Sequence, residues 1–189
     1  MSAVITLVVA LLAVFWAIGL YNRLVGLRNQ VLNGWRQIDV QLKRRHDLIP
    51  NLVNTVRGAM EFERETLEAV IAARTRAASA TGPADAARKE GELTQALGRL
   101  FALAESYPQL TANANVRALQ EELSATENKI GFARQFYNDI ATKYNTAIQV
   151  VPGNIIAGFG NFKPSELFEI KDEAERAVPT VDLSMKPRT

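Results

Sequence analysis

Apolar positions along this chain fall into two regimes, an unbroken run at the start and then stripes that recur every three or four residues. From Ala3 to Leu20 only Thr6 interrupts the run, and none of the first twenty residues carries an ionisable side chain. At 1.5 Å per residue the run makes roughly 27 Å of helix, enough to cross a hydrocarbon core. Residues 1–20 are therefore predicted to be a transmembrane anchor. A cleaved signal peptide is the competing reading. No Lys or Arg precedes the run, however, and Trp16-Ala17-Ile18-Gly19-Leu20 lacks the small-residue cleavage pattern.

Beyond the anchor the period is helical and strand-like alternation is almost absent. The most regular stripe is Val116, Leu119, Leu123, Thr126, Ile130, Ala133, Tyr137, Ile140, Tyr144, Ala147 and Val151, one long helix with a single buried seam, capped by Asn113 or Asn115. Three further helices are expected before it. The first, about 21–46, carries Leu24, Leu27, Val31, Trp35, Ile38 and Leu42 and merges with the anchor. The second, about 48–79, carries Ile49, Leu52, Val56, Met60, Leu67 and Val70, and the third, about 84–107, carries Leu93, Leu97, Leu100, Ala104 and Tyr107. A turn is placed at Asp47–Pro50 in preference to a kink, because a single helix of some sixty residues with nothing folded back on it leaves both stripes exposed.

The fold class that follows is all-α: a membrane-anchored four-helix up-down antiparallel bundle over residues 21–151, with an irregular tail over 152–189. Pro152-Gly153-Asn154 ends the last helix. Ser165 is a candidate cap for a short tail helix through Leu167, Phe168 and Ile170. Phe159, Phe162 and Phe168 are too apolar to be left in water, and are expected to dock the tail on the bundle or on a partner.

Charge modifies this picture only locally. The net charge is +2, yet residues 21–46 hold Arg23, Arg28, Arg36, Lys43, Arg44 and Arg45 against Asp39. By the positive-inside bias the body faces the cytoplasm. The absence of cysteine excludes disulfides and thiolate metal sites. The sole histidine, His46, has no companion ligands and reads as structural. Glu61-x-x-Arg64 and Glu65-x-x-Glu68 lack the histidines of a di-metal bundle site, so no metal and no cofactor is expected. Neither a phosphate loop nor a nucleophile elbow occurs.

Lys43-Arg44-Arg45 reads as a solvated helix face, since it lies roughly 35 Å beyond the anchor, far outside a Debye length of about 8 Å. Arg23 and Arg28 are better placed for lipid. No aromatic platform supports nucleic-acid binding. Asp39, Arg44, Arg45, Glu127 and Arg134 are candidates for a polar layer that fixes bundle register or meets a partner. The enzymatic alternative is a hydrolase or transferase using Asp39, Glu127 and Arg134 in a cleft.

Tyr21-Asn22, Leu27-Arg28-Asn29, Trp35, the block from Ile38 to Arg45, Asp47-Leu48-Ile49-Pro50-Asn51-Leu52-Val53, Tyr107-Pro108, Thr126-Glu127, Tyr137-Asn138, Tyr144-Asn145 and Asn154-Ile155-Ile156-Ala157 together resemble the LemA family pattern over nearly the whole chain. The resemblance implies a bacterial single-pass membrane protein with a long antiparallel helical bundle and no established activity, cofactor or substrate. Some such proteins reside on internal membranes such as the magnetosome. Two departures stand out: Gly58-Ala59-Met60-Glu61-Phe62-Glu63 replaces a family stretch with tyrosine and histidine, and Gly160 replaces a tail phenylalanine, which implies looser or reorganised docking. The function expected is a membrane-tethered interaction or scaffolding protein, not an enzyme. Its partners are expected to be lipid through residues 3–20 and either a second copy, for which Ala10, Ala13 and Ala17 permit close helix approach, or another membrane-associated protein. No small-molecule substrate is expected.

Overall fold

The 3-4 spacing that carries the first helix does not stop at Asp47. In the computed structural model, which describes residues 1–60 and 62–169, α1 runs uninterrupted over Ser2–Arg57, 56 residues. Its buried positions Ile38, Leu42, Arg45, Ile49, Leu52 and Val56 step through Pro50 without a change of phase. The turn expected at Asp47–Pro50 is therefore absent. Proline removes one backbone donor, so the carbonyl four residues earlier, that of His46, has no helical partner. Arg74 supplies one: its Nε donates to the His46 carbonyl at 3.1 Å. Pro50 itself faces solvent, where its ring displaces no core atom.

The reversal falls instead at residues 58–63, where Met60 is fully buried. The helix expected over 48–79 is thus divided between the end of α1 and α2, Arg64–Ala78. A tight turn with Gly82 at φ +81, a conformation open to glycine, leads into α3, Gly82–Ala104. A four-residue helix, α4, Pro108–Thr111, occupies the expected short loop. In α5, Ala114–Gln149, the Asn113 side chain accepts from the N–H groups of Asn115 and Val116.

The tail departs further from expectation. Its helix is α6, Gly153–Phe159, upstream of the predicted one. Ser165 caps nothing, because residues 162–167 have no regular structure, and Ile170 lies outside the described residues. Among the described residues there is no β-strand, and the fold is all-α with one long apolar helix.

α1 and α5 run antiparallel, as the pairs Arg44 with Glu122 and Gly34 with Tyr137 show. The α2–α3 hairpin covers the end of α1 distal to its apolar N-terminal run, and α6 covers the proximal end. Two apolar clusters result. The distal one joins Ile49, Leu52, Val56, Val70, Leu93, Leu97, Leu100 and Leu123. The proximal one joins Leu24, Leu27, Val31, Ile38, Ile130, Tyr137, Tyr144, Phe162 and Phe168.

Candidate functional site

Between the two clusters lies a layer of charge. Four polar residues are buried among the described positions, Arg45, His46, Glu90 and Thr126, and each sits where its helix passes from one cluster to the other. Arg45 Nη1 is 3.2 Å from Glu90 and 2.8 Å from Glu127, and Nη2 donates to Thr94 Oγ1 at 2.8 Å. The second Glu90 oxygen lies 2.6 Å from His46 Nε2. One carboxylate in the interior is thus matched by two nitrogen-bearing side chains from the facing helix. Desolvating such groups is tolerable only because each finds partners of good geometry. The layer ties α1, α3 and α5 at one height.

The predicted polar residues separate into two groups. Arg45 and Glu127 meet in this layer, and Arg44 pairs with Glu122 at 2.6 Å on the outer surface. Asp39 and Arg134 stay exposed. Asp39 and His46 line a shallow recess of about 270 Å³, Glu127 lines a different one, and Arg134 lines neither, so the cleft required for hydrolase or transferase chemistry is not assembled. Among the described residues no group of three or more His, Cys, Asp or Glu is placed to hold a metal ion. Glu90 was not anticipated, though a signal existed: it occupies the stripe Ala86, Glu90, Leu93, Leu97, Leu100, Ala104, a carboxylate at a core position.

A second constellation holds the tail. The dipeptide Tyr-Asn occurs twice on α5, seven residues apart. The Tyr144 hydroxyl donates to the Lys163 carbonyl at 2.9 Å, and the Tyr137 hydroxyl to the Glu166 carbonyl at 2.6 Å. Asn145 receives the Ser165 N–H and donates to the Ser165 carbonyl, both at 2.8 Å. Asn138 does the same to Phe168, at 2.8 and 3.2 Å. Seven helical residues advance about 10.5 Å and three extended residues about 9–10 Å, so a heptad on α5 reads a three-residue repeat in the tail. The contacts are to backbone. Burial, aided by the charge of Glu166, pushes the Tyr137 phenol up to about 12, and burial raises that of Tyr144 as well.

Of the three tail phenylalanines, Phe162 and Phe168 are buried. Phe162 packs its ring edge on Tyr21 with Arg28 above its face, and Phe168 packs beside Trp35. Phe159 is 90% exposed, so of the two docking roles expected for it the one on the chain's own bundle does not occur. At Gly160 an added Cβ would collide with the Phe162 ring and meet Tyr21 at 3.1 Å, so glycine at that position permits close docking of the tail against α1, the opposite of looseness.

Along the α1–α5 pair lies an open groove. It is lined by Arg36, Val40, Gln41, Lys129, Phe132 and Phe136, with Phe132 75% exposed and the buried Gln41 Oε1 unpaired.

Comparison with known proteins places this architecture. The chain is 32% identical over 94 residues to magnetosome protein MamQ 2 of Paramagnetospirillum magneticum, covering 50% of this chain and 35% of that one. It is 31% identical over 91 residues to magnetosome protein MamQ of Magnetospirillum gryphiswaldense, covering 48% and 34%. To protein LemA of Metamycoplasma hominis it is 27% identical over 147 residues, 76% of this chain and 66% of that one. The chain thus spans about a third of the length of the magnetosome relatives. The LemA family profile matches residues 34–183, from the core position Gly34 through the charged layer and both Tyr-Asn pairs, and the chain belongs to the LemA family.

Proposed function

We propose that this chain is a membrane-tethered interaction or scaffolding protein, without catalysis of its own. One observation carries the reading. The apolar residues 3–20 are uncovered along most of their length, yet belong to the same helix that forms the body's longest seam. A helix continuing from Tyr21 to Arg57 would set the distal end roughly 54 Å from the membrane. In this reading residues 1–20 span a bacterial membrane once, residues 21–151 form an up-down bundle of four long helices in the cytoplasm, and residues 152–189 form the tail. The polar layer sets the register of α1, α3 and α5, because a slip of one helical turn would leave Glu90 and Arg45 buried and unpaired. Lipid around residues 3–20 and either a second copy or another membrane-associated protein are the partners. The exposed Phe132 and Phe136 are the surface for the latter. A role in organising a membrane compartment is in keeping with relatives named as magnetosome proteins.

The test is photo-crosslinking from Phe132 and Phe136 in intact membranes, with the adducts identified by mass spectrometry. Reproducible protein adducts at these positions, absent from a label at exposed Asn54, are expected. Recovery of uncrosslinked monomer alone across growth conditions would overturn the scaffold reading.

A further inference from the structure

We infer that the α5–α6 end of the body is a second membrane contact, seated in the lipid interface beside the anchor and facing anionic headgroups. The inference rests on the membrane-tether reading and adds a site to it. Its starting point is the seam of α1. Within residues 1–21 only Ala17 and Leu20 are partly covered, and they extend the stripe Leu24, Leu27, Val31 backward at the same 3-4 spacing. The face of α1 that meets the body therefore begins about one turn inside the apolar run. α6 packs against α1 at this height: Gly160 approaches the Tyr21 ring, and Phe162 lies edge-on to it with centroids 5.5 Å apart.

The body thus reaches the level where a bilayer enclosing residues 3–20 would end. There it exposes apolar side chains. Gly153 and Ala157 turn the buried face of α6 inward, while Ile155 and Phe159, one turn apart, are exposed, as are Val150 and Val151 just before the helix. A water-exposed end of a bundle would hold polar residues at these positions; an interfacial helix holds apolar ones. Trp16 and Tyr21 flank the same level, where aromatic rings favour the membrane interface.

Charge agrees. Residues 21–31 and 140–165, the parts of the body nearest the apolar run, contain Arg23, Arg28, Lys143 and Lys163 and not one Asp or Glu. A purely basic ring around an apolar foot complements anionic lipid. With the anchor alone the body is free to rotate about the helix axis and tilt; a second contact removes that freedom and gives the distal end a set direction.

Because the chain has no cysteine, single introduced cysteines can be spin-labelled without background. The full chain carrying Phe159→Cys, and separately Ile155→Cys, is reconstituted in vesicles of phosphatidylcholine with about one-third phosphatidylglycerol. Val9→Cys marks the span and Phe132→Cys an exposed surface midway along the body. Labels at Phe159 and Ile155 should be several-fold more accessible to oxygen than to a water-soluble nickel chelate, as at Val9, with the reverse at Phe132. Both foot labels should lie shallower in phosphatidylcholine alone. Foot labels that behave like Phe132 while Val9 stays lipid-like overturn the inference and leave the tether intact. A water-like Val9 overturns both. Shielding that comes with dipolar broadening between foot labels, lost on dilution with unlabelled chain, assigns the surface to a second copy and overturns the lipid contact. Equal depth in the two lipid mixtures overturns its anionic preference.

Discussion

A single arginine supplies the donor that a proline takes from α1. Arg74 occupies the carbonyl that Pro50 leaves unmatched, so the two residues form one unit although they lie on different helices. Pro50→Ala restores the N–H to the helix and should raise stability by about 1–3 kcal/mol in denaturant titration. Arg74→Ala should be destabilising in the native background and cost about 0.5 kcal/mol less or better once Pro50→Ala is present, a coupling measurable by a double-mutant cycle. Additive effects would mean that Arg74 acts elsewhere. Asp85 shows the same local economy at the start of α3. Its carboxylate binds Lys89, accepts the Thr81 N–H and binds Arg88, which hold its pKa at about 2 against an ordinary 3.8. A depressed carboxyl pKa stabilises the folded state above pH 3.8 and ceases to do so as pH falls to about 2. The melting temperature of Asp85→Asn should therefore lie below the wild type near neutral pH, and the gap should close across that acid window.

Among the elements, α5 bears the most relationships, since one face fills the core and the adjoining face reads the tail. Leu123 is 5% exposed in the distal cluster, and Leu123→Ala should cost about 2–5 kcal/mol by denaturant titration. Asn145 acts on backbone instead. Asn145→Ala removes both bonds to Ser165, each worth about 0.5–1.5 kcal/mol. Faster amide exchange should appear at Ser165 and Phe168 while the Leu123 region stays protected. Unchanged exchange at Ser165 would show the tail held by its phenylalanines alone. α6, by contrast, has few inward side chains beyond Ala157, and its outward face is the apolar one.

For the molecule as a whole, the layer of Arg45, His46, Glu90 and Glu127 divides what would otherwise be one continuous seam about 48 Å long into two apolar compartments. Glu90→Ala takes the carboxylate from His46 and leaves Arg45 only Glu127 and Thr94, and should cost about 3–5 kcal/mol. Replacing Arg45, His46 and Glu90 together by aliphatic residues should be far less harmful, neutral or stabilising by up to about 4 kcal/mol, while permitting alternative helix registers. Chemical unfolding reads the first effect, and doubled or broadened amide resonances in α3 read the second. A triple variant as unstable as Glu90→Ala would remove specificity of register as the layer's role.

The order of apolar residues alone determined the long apolar helix at the start, the seam of α5 and the all-α class, because these depend on one helix at a time; the choice of Asn113 over Asn115 as the cap of α5 came from the structure. It also contained the continuity of α1, since Leu42, Arg45, Ile49 and Leu52 never change phase; a turn at Asp47–Pro50 is the expectation because one long helix alone leaves both stripes exposed, and neither the helices that cover them nor the remedy for Pro50 is visible along the chain. That remedy, Arg74, is 24 residues further on and becomes a neighbour only after the chain reverses at residues 58–63. The same holds for the site. Arg45 and Glu127 are conspicuous as charges, but what makes them a buried layer is Glu90, whose place in the stripe of α3 acquires meaning only when α3 is laid against α1. The two Tyr-Asn pairs are plain in the sequence; that they bind the tail backbone depends on the match between a heptad of helix and three extended residues. Along one chain, sequence sets which face of a helix is apolar; which faces meet, and which polar groups thereby lose water and must find one another, is decided by the tertiary structure, because pairing partners are chosen by space and not by spacing.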